Sequence, residues 1–172
     1  MFPLSFYLAF LTPEQLANAC ALYGYLLELA IKDYRDSYAH DASRLVISKA
    51  GHVDLSLMID GKLRRVEVKQ NGGEFRHLCR GSSYIAYAIY IEPDLPLRQQ
   101  FGYVLPMRDF KTAGASVNLF RYDKEDGDGY RKLALQTLYN YKAGDFHGRK
   151  AEKLADALET LGAIPFKEFF TE

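Results

Sequence analysis

The chain has 172 residues, 48% hydrophobic and 14% aromatic, which suits one domain with a real core and excludes a disordered protein. Its 22 Lys/Arg balance 22 Asp/Glu, so a uniformly basic nucleic-acid-coating protein is excluded as well. Cys20 and Cys79 have no metal spacing and point to a reduced, cytoplasmic protein; no run approaches the roughly 18–20 apolar residues of a membrane span.

The opening MFPLSFYLAFL carries no positive charge ahead of its apolar stretch and reads as packed structure rather than a signal peptide. Thr12, Pro13 and Gln15 form a helix start, with Thr12 at the N-cap and Gln15 at the capping-box position. Apolar residues at 16, 19, 20, 23, 27, 30, 31 and 34 then predict one amphipathic helix to about Arg35. A polar connector follows, and RLVIS (44–48) predicts a short strand.

Residues 53–70, VDLSLMIDGKLRRVEVKQ, are two β-runs joined by Asp60-Gly61. Asp-Gly between alternating apolar runs signals a two-residue type I′ turn, which needs φ > 0 at both central positions. With Asp60 and Gly61 as the loop, Ile59 faces Lys62 and paired positions sum to 121. That register sets Asp54 opposite Glu67 on one face, Cβ atoms about 4.5–5.5 Å apart, and Lys69 follows on the same face. Opposed carboxylates repel, and a divalent cation between them would relieve the repulsion. Gln70 alternates to the other face if the strand runs straight.

Asn71-Gly72-Gly73 closes the hairpin, and residues 74–80 predict a short helix. SYIAYAIYI (83–91) predicts a central strand, with Tyr84, Tyr87 and Tyr90 filling the core. A loop at 92–96, a strand at 101–107, a short helix near Asp109 and a last strand at 117–122 follow. DKEDGDG (123–129) is a plain turn, because the twelfth position of a calcium loop begun at Asp123 is Ala134 rather than a glutamate. Residues 130–141 and 148–161 predict helices, the second with Ala151, Leu154, Ala155, Leu158 and Leu161 on one stripe. The order predicts a single domain of α+β class, an α/β/α-like sandwich of helices on a mixed sheet. Its core spans about 13–122 and its C-terminal helical extension about 130–172.

Asp54, Glu67-Val68-Lys69 and the preceding helix with Gly24 and Glu28 resemble the PD-(D/E)xK nuclease superfamily, of restriction-endonuclease-like fold. The wording VDLSL…VEVKQ is similar to Holliday-junction resolvases and to Mrr-type and VRR-type nucleases, in which Gln70 after the lysine also recurs. The resemblance covers about residues 13–91; Val53 stands where the superfamily's eponymous proline would be. It implies a Mg²⁺- or Mn²⁺-dependent deoxyribonuclease. Asp54, Glu67, the Val68 carbonyl and Glu28 would be metal ligands, and Lys69, with Gln70, would assist the attacking water. The implied partner is DNA, branched or otherwise structured, with a homodimer suited to paired cuts and no membrane.

Residues 44–80 hold eight Lys/Arg against four acids (Asp54, Asp60, Glu67 and Glu74), a footprint for a polyanion. Arg64, Arg65, Arg76 and Arg80 are the expected phosphate contacts. One rival expectation is a nuclease-like fold that no longer cuts and serves as a protein- or nucleic-acid-binding module; a second is an α+β ligand-binding protein in which the acids and lysine merely form salt bridges.

Overall fold

A computed structural model describes residues 1–34, 55–70, 84–106, 112–113, 116–117, 137–138 and 148–171. The chain opens with a 3-10 helix at Leu4–Phe10, held down where Leu4 and Ser5 donate backbone hydrogen bonds to the carbonyls of Leu95 and Pro93. Helix α1 (Pro13–Ala17) begins with the expected capping box: Thr12 Oγ1 accepts from the Gln15 amide and Gln15 Oε1 from the Thr12 amide.

The single helix expected over 13–35 is broken. Asn18 ends α1, and its side-chain oxygen accepts from the Ala21 amide while its carbonyl accepts from Leu22. An asparagine side chain competes for backbone donors in this way, so the helix restarts as α2 (Leu22–Asp33).

Strands β1 (Leu55–Ile59), β2 (Lys62–Lys69), β3 (Tyr84–Tyr90), β4 (Phe101–Pro106) and β7 (Ile164–Pro165) form one mixed sheet in the order β1-β2-β3-β4-β7. Only β2 and β3 run parallel; the other neighbours are antiparallel. A separate two-stranded hairpin joins β5 (Thr112–Ala113) and β6 (Ser116–Val117). Helix α3 (Gly148–Thr160) and the short α4 (Phe166–Phe169) follow among the described residues. The expected strands at 83–91 and 101–107 are present as β3 and β4. Of the strand expected at 117–122 only Val117 is described, in β6, and the chain's last strand is instead β7 near the C-terminus.

Strand alternation sorts the core onto two faces. Leu55, Leu57, Val66, Val68, Ala86, Ala88 and Val104 form one face, covered by Leu26, Leu27, Ala30 and Ile31 of α2 together with Phe166 and Phe170. Ile85, Tyr87, Ile89, Tyr103 and Leu105 form the other, covered by the α3 stripe that includes Leu154 and Leu158. The result is an α+β sandwich, with a mixed sheet of five strands among the described residues lying between helices. α3 stops at a Schellman cap: Gly162 has φ +83, its amide bonds to the Glu159 carbonyl, and Ala163 bonds back to Leu158. Tyr87 is fully buried as expected of a core tyrosine, whereas Tyr90 is well exposed.

The expected strand at 44–48 and helix at 74–80 lie outside the described residues, as does DKEDGDG; of the helix expected at 130–141 only the helical Thr137 and Leu138 are described. Among the described residues, no helix is long and apolar enough to cross a membrane.

Candidate functional site

The hairpin forms at the turn the sequence predicts. Asp60 has φ +51 and Gly61 φ +72, the two positive values a type I′ turn requires. The pairs Ile59↔Lys62, Met58↔Leu63, Leu57↔Arg64, Ser56↔Arg65 and Leu55↔Val66 all sum to 121, the expected register. Asp54 lies outside the described residues, one position before the last of these pairs.

Glu67 sits in the interior of β2, only 7% exposed, beside Ile85 of β3. Lys69, two residues on, points to the same face, and its Nζ lies 3.3 Å from Glu67 Oε1. The pair is held on the face that carries Ile85 and Tyr87, since parallel partners share a face and Lys69 pairs with Tyr87. Val68, between them, turns its side chain into the core on the α2 face.

Gln70 leaves the strand on that α2 face, as straight alternation requires. Its Nε2 donates to the Cys20 carbonyl at 3.0 Å, and a Cβ on Gly24 would meet its Cγ at 3.5 Å. Its Oε1 is buried without a hydrogen-bond partner among the described residues. Gln70 therefore ties the end of β2 to the start of α2 rather than joining Glu67 and Lys69. Glu28 lies one helical turn after Gly24, on the same flank of α2 and half-buried. Since α2 covers the Val66/Val68 face, Glu28 belongs to the layer opposite Glu67 and Lys69.

Of the expected phosphate contacts, Arg65 is exposed on the Glu67 face and Arg64 is half-buried on the other face. Arg76 and Arg80 lie outside the described residues. Among the described residues, no group of three or more His, Cys, Asp or Glu is placed to hold a metal ion. The structure thus joins Glu67 to Lys69, places Arg65 on their face, and sets Glu28 and Gln70 on the opposite side.

Two features escaped sequence reasoning. Tyr87 flanks Lys69 only because β2 and β3 pair in parallel, a long-range choice with no local signature. Phe2, Phe6 and Phe10 are exposed beside a groove of about 550 Å³ that also reaches Asp33, whose Oδ2 accepts from the Tyr7 hydroxyl at 2.7 Å. The periodic aromatics in MFPLSFYLAFL were a signal for a clustered surface. A second groove, about 610 Å³, runs beside Tyr103, Phe101 and Arg98, on the far side of the sheet from the hairpin.

No family model, curated protein or solved structure compared with this chain matches it.

Proposed function

We propose that this protein is a Mg²⁺- or Mn²⁺-dependent nuclease of restriction-endonuclease-like fold that hydrolyses phosphodiester bonds in DNA. The observation that carries the reading is Glu67, a carboxylate buried in the interior of β2 with the Lys69 ammonium 3.3 Å away. A buried charge is costly unless something uses or neutralises it, and a strand-borne acid and lysine two residues apart suit phosphate chemistry.

The donor set is oxygen-only, which suits hard cations such as Mg²⁺ and Mn²⁺. The ligands in this reading are Glu67 and Asp54, the latter taken from the sequence register, with the Val68 carbonyl as a third. Glu28 lies in the opposite layer and is not part of this ligand set. The cation, when bound, neutralises charge developing on the phosphate and lowers the pKa of water. Lys69 holds Glu67 in place and offers its remaining N–H groups to a phosphate oxygen or to the attacking water. Arg65 supplies a sequence-independent phosphate contact on the same face. Gln70 acts on α2 and not on the substrate.

A second reading keeps the fold without the cleavage: a DNA- or protein-binding module. It is favoured by the Glu67–Lys69 ion pair, which neutralises the buried acid without any metal cation. One experiment separates the two. Incubate wild type, Glu67→Gln and Lys69→Met with a panel of linear and branched DNAs, with Mg²⁺, with Mn²⁺ and with EDTA. Cleavage by wild type alone, abolished by EDTA, supports the nuclease; metal-independent cleavage or equal cleavage by folded Glu67→Gln rejects it. DNA binding without cleavage under any metal selects the module.

A further inference from the structure

The N-terminal 3-10 helix turns three phenylalanines outward. Phe2, Phe6 and Phe10 are 52%, 40% and 63% exposed, whereas Leu4 and Tyr7 of the same helix are buried against α2. The outward rings form one connected set. Phe2 and Phe6 stack with centroids 4.1 Å apart, and Phe6 and Phe10 stand 5.5 Å apart, tilted by 55°. Together with Leu29 and Asp33 of α2 they line the groove of about 550 Å³.

The groove is built on fixed parts. The Leu4 and Ser5 amides pin the 3-10 helix to the carbonyls of Leu95 and Pro93, and the Tyr7 hydroxyl donates to Asp33 Oδ2 at 2.7 Å. Asp33 is the last residue of α2, where the carbonyl end of the helix disfavours a negative charge. Tyr7 gives it a hydrogen bond but no positive charge. Burial, and then the bond to Asp33, raise the Tyr7 pKa far above that of an ordinary phenol, so the hydroxyl remains the donor. No ion pair neutralises Asp33 among the described residues, and its side chain is exposed on the groove wall. Lys32 lines the groove as well, but it is half-buried and has a partner of its own.

Size and charge together choose the occupant. Three half-exposed rings of roughly 200 Å² each offer about 300 Å², well short of the roughly 800 Å² per partner that a stable dimer buries. The volume instead falls within the range of about 300–1,000 Å³ usual for small-molecule pockets. Ring faces carry negative charge density, and a carboxylate beside them adds a full negative charge, so the complement is a cation with an apolar coat. A methylated ammonium meets both conditions. A bare ammonium is more strongly hydrated and gains less by leaving water.

The geometry points to this groove as a binding site for a small methylated ammonium ligand, its cationic head held between the Phe6 and Phe10 rings and the Asp33 carboxylate. The site is separate from the proposed nuclease centre, because it lies in the layer of α2 while Glu67 and Lys69 occupy the other face of the sheet. Ammonium binding and DNA cleavage therefore succeed or fail independently.

The test titrates full-length protein by calorimetry and saturation-transfer NMR with choline, with the uncharged tert-butyl analogue of choline, and with benzenesulfonate. The variants are Asp33→Asn, which keeps an acceptor for Tyr7, and Phe10→Leu, which keeps an apolar side chain without a ring face. Both positions are exposed, so melting curves should match wild type.

Choline is expected to bind saturably and about tenfold or more tighter than its uncharged analogue, with no binding of benzenesulfonate. Each variant should weaken choline about fivefold or more while leaving the uncharged analogue within about twofold. Equal affinity for choline and its analogue overturns the proposal, as does choline binding that neither variant weakens. No binding of choline overturns it too. A dimer that Phe10→Leu dissolves, without choline binding, gives the groove to a second copy of the chain. Retention on phosphatidylcholine vesicles without binding of free choline gives it to a lipid surface, and either result overturns the small-ligand site.

Discussion

The Lys69 ammonium stands 3.3 Å from the Glu67 carboxylate on one face of β2, and both side chains are largely withdrawn from water. Their mutual attraction is screened far less than that of a surface pair, so it should be measurable as stability and not only as activity. Lys69→Met keeps the aliphatic stem, removes the charge and leaves the acid without its neighbour. We expect it to cost about 1–3 kcal/mol in denaturant unfolding. The double variant Glu67→Gln/Lys69→Met should cost less than the sum of the singles, by a coupling of about 1 kcal/mol or more. Strictly additive costs would show that the contact carries no energy.

The Asp60-Gly61 turn sets the register for the whole candidate site. Gly61 has φ +72, and a side chain there is strained even though nothing crowds it. Gly61→Ala should lower stability by about 1 kcal/mol. Asp60→Asn, equally at home at positive φ, should be nearly neutral. An unchanged midpoint for Gly61→Ala would mean that the turn relaxes to another type.

Gly102 is where β4 lets α4 approach the sheet. A Cβ there would lie 2.5 Å from Phe166 Cε2 and 2.7 Å from the Tyr87 carbonyl oxygen. The carbonyl belongs to the sheet and cannot step aside, so Gly102→Ala must displace both the strand pairing and the Phe166 ring. A loss of about 1–3 kcal/mol is expected, comparable with overpacking elsewhere. Phe166→Ala, which empties a fully buried ring, should cost about 3–5 kcal/mol. Gly102→Ala combined with Phe166→Leu should recover part of the first loss, and a melting scan of the three variants checks the order.

Tyr103 links stability to alkaline pH. Burial raises its pKa, and the hydrogen bond from its hydroxyl to Glu159 Oε1 at 2.7 Å raises it further, with that carboxylate's charge adding to both. A pKa raised on folding gives a stabilisation that is intact below the unfolded phenol's value of about 10 and is lost as pH climbs through the folded value. Wild-type melting temperature should therefore fall above about pH 10, and Tyr103→Phe should flatten that fall. Tyr7, buried and donating to Asp33, should contribute in the same sense. Parallel pH profiles for wild type and Tyr103→Phe would remove the linkage.

Much of the hairpin was legible in the sequence because its signals are local. Asp60-Gly61 specifies a turn geometry, the turn specifies a register, and the alternation about it tells which residues share a face. The capping box at Thr12 and the α3 stripe from Ala151 to Leu161 were legible for the same reason. The break at Asn18 was not, since the apolar period runs on through it and only the competition of one amide side chain for backbone donors interrupts the helix. β7 was missed because two residues carry no period, and they become a strand only where β4 offers a free edge.

By itself the sequence determined the type I′ hairpin, its pairing sum of 121 and therefore that Glu67 and Lys69 face the same way with Gln70 facing the other. These follow from backbone sterics and a two-residue period, which depend on neighbours along the chain alone. Only the tertiary structure decided that β2 and β3 pair in parallel, that Tyr87 flanks Lys69, that Glu67 is buried, and that α2 carries Glu28 over the opposite face. Those relations arise when segments far apart in sequence bury apolar surface against one another, and no local pattern encodes which partner each will meet.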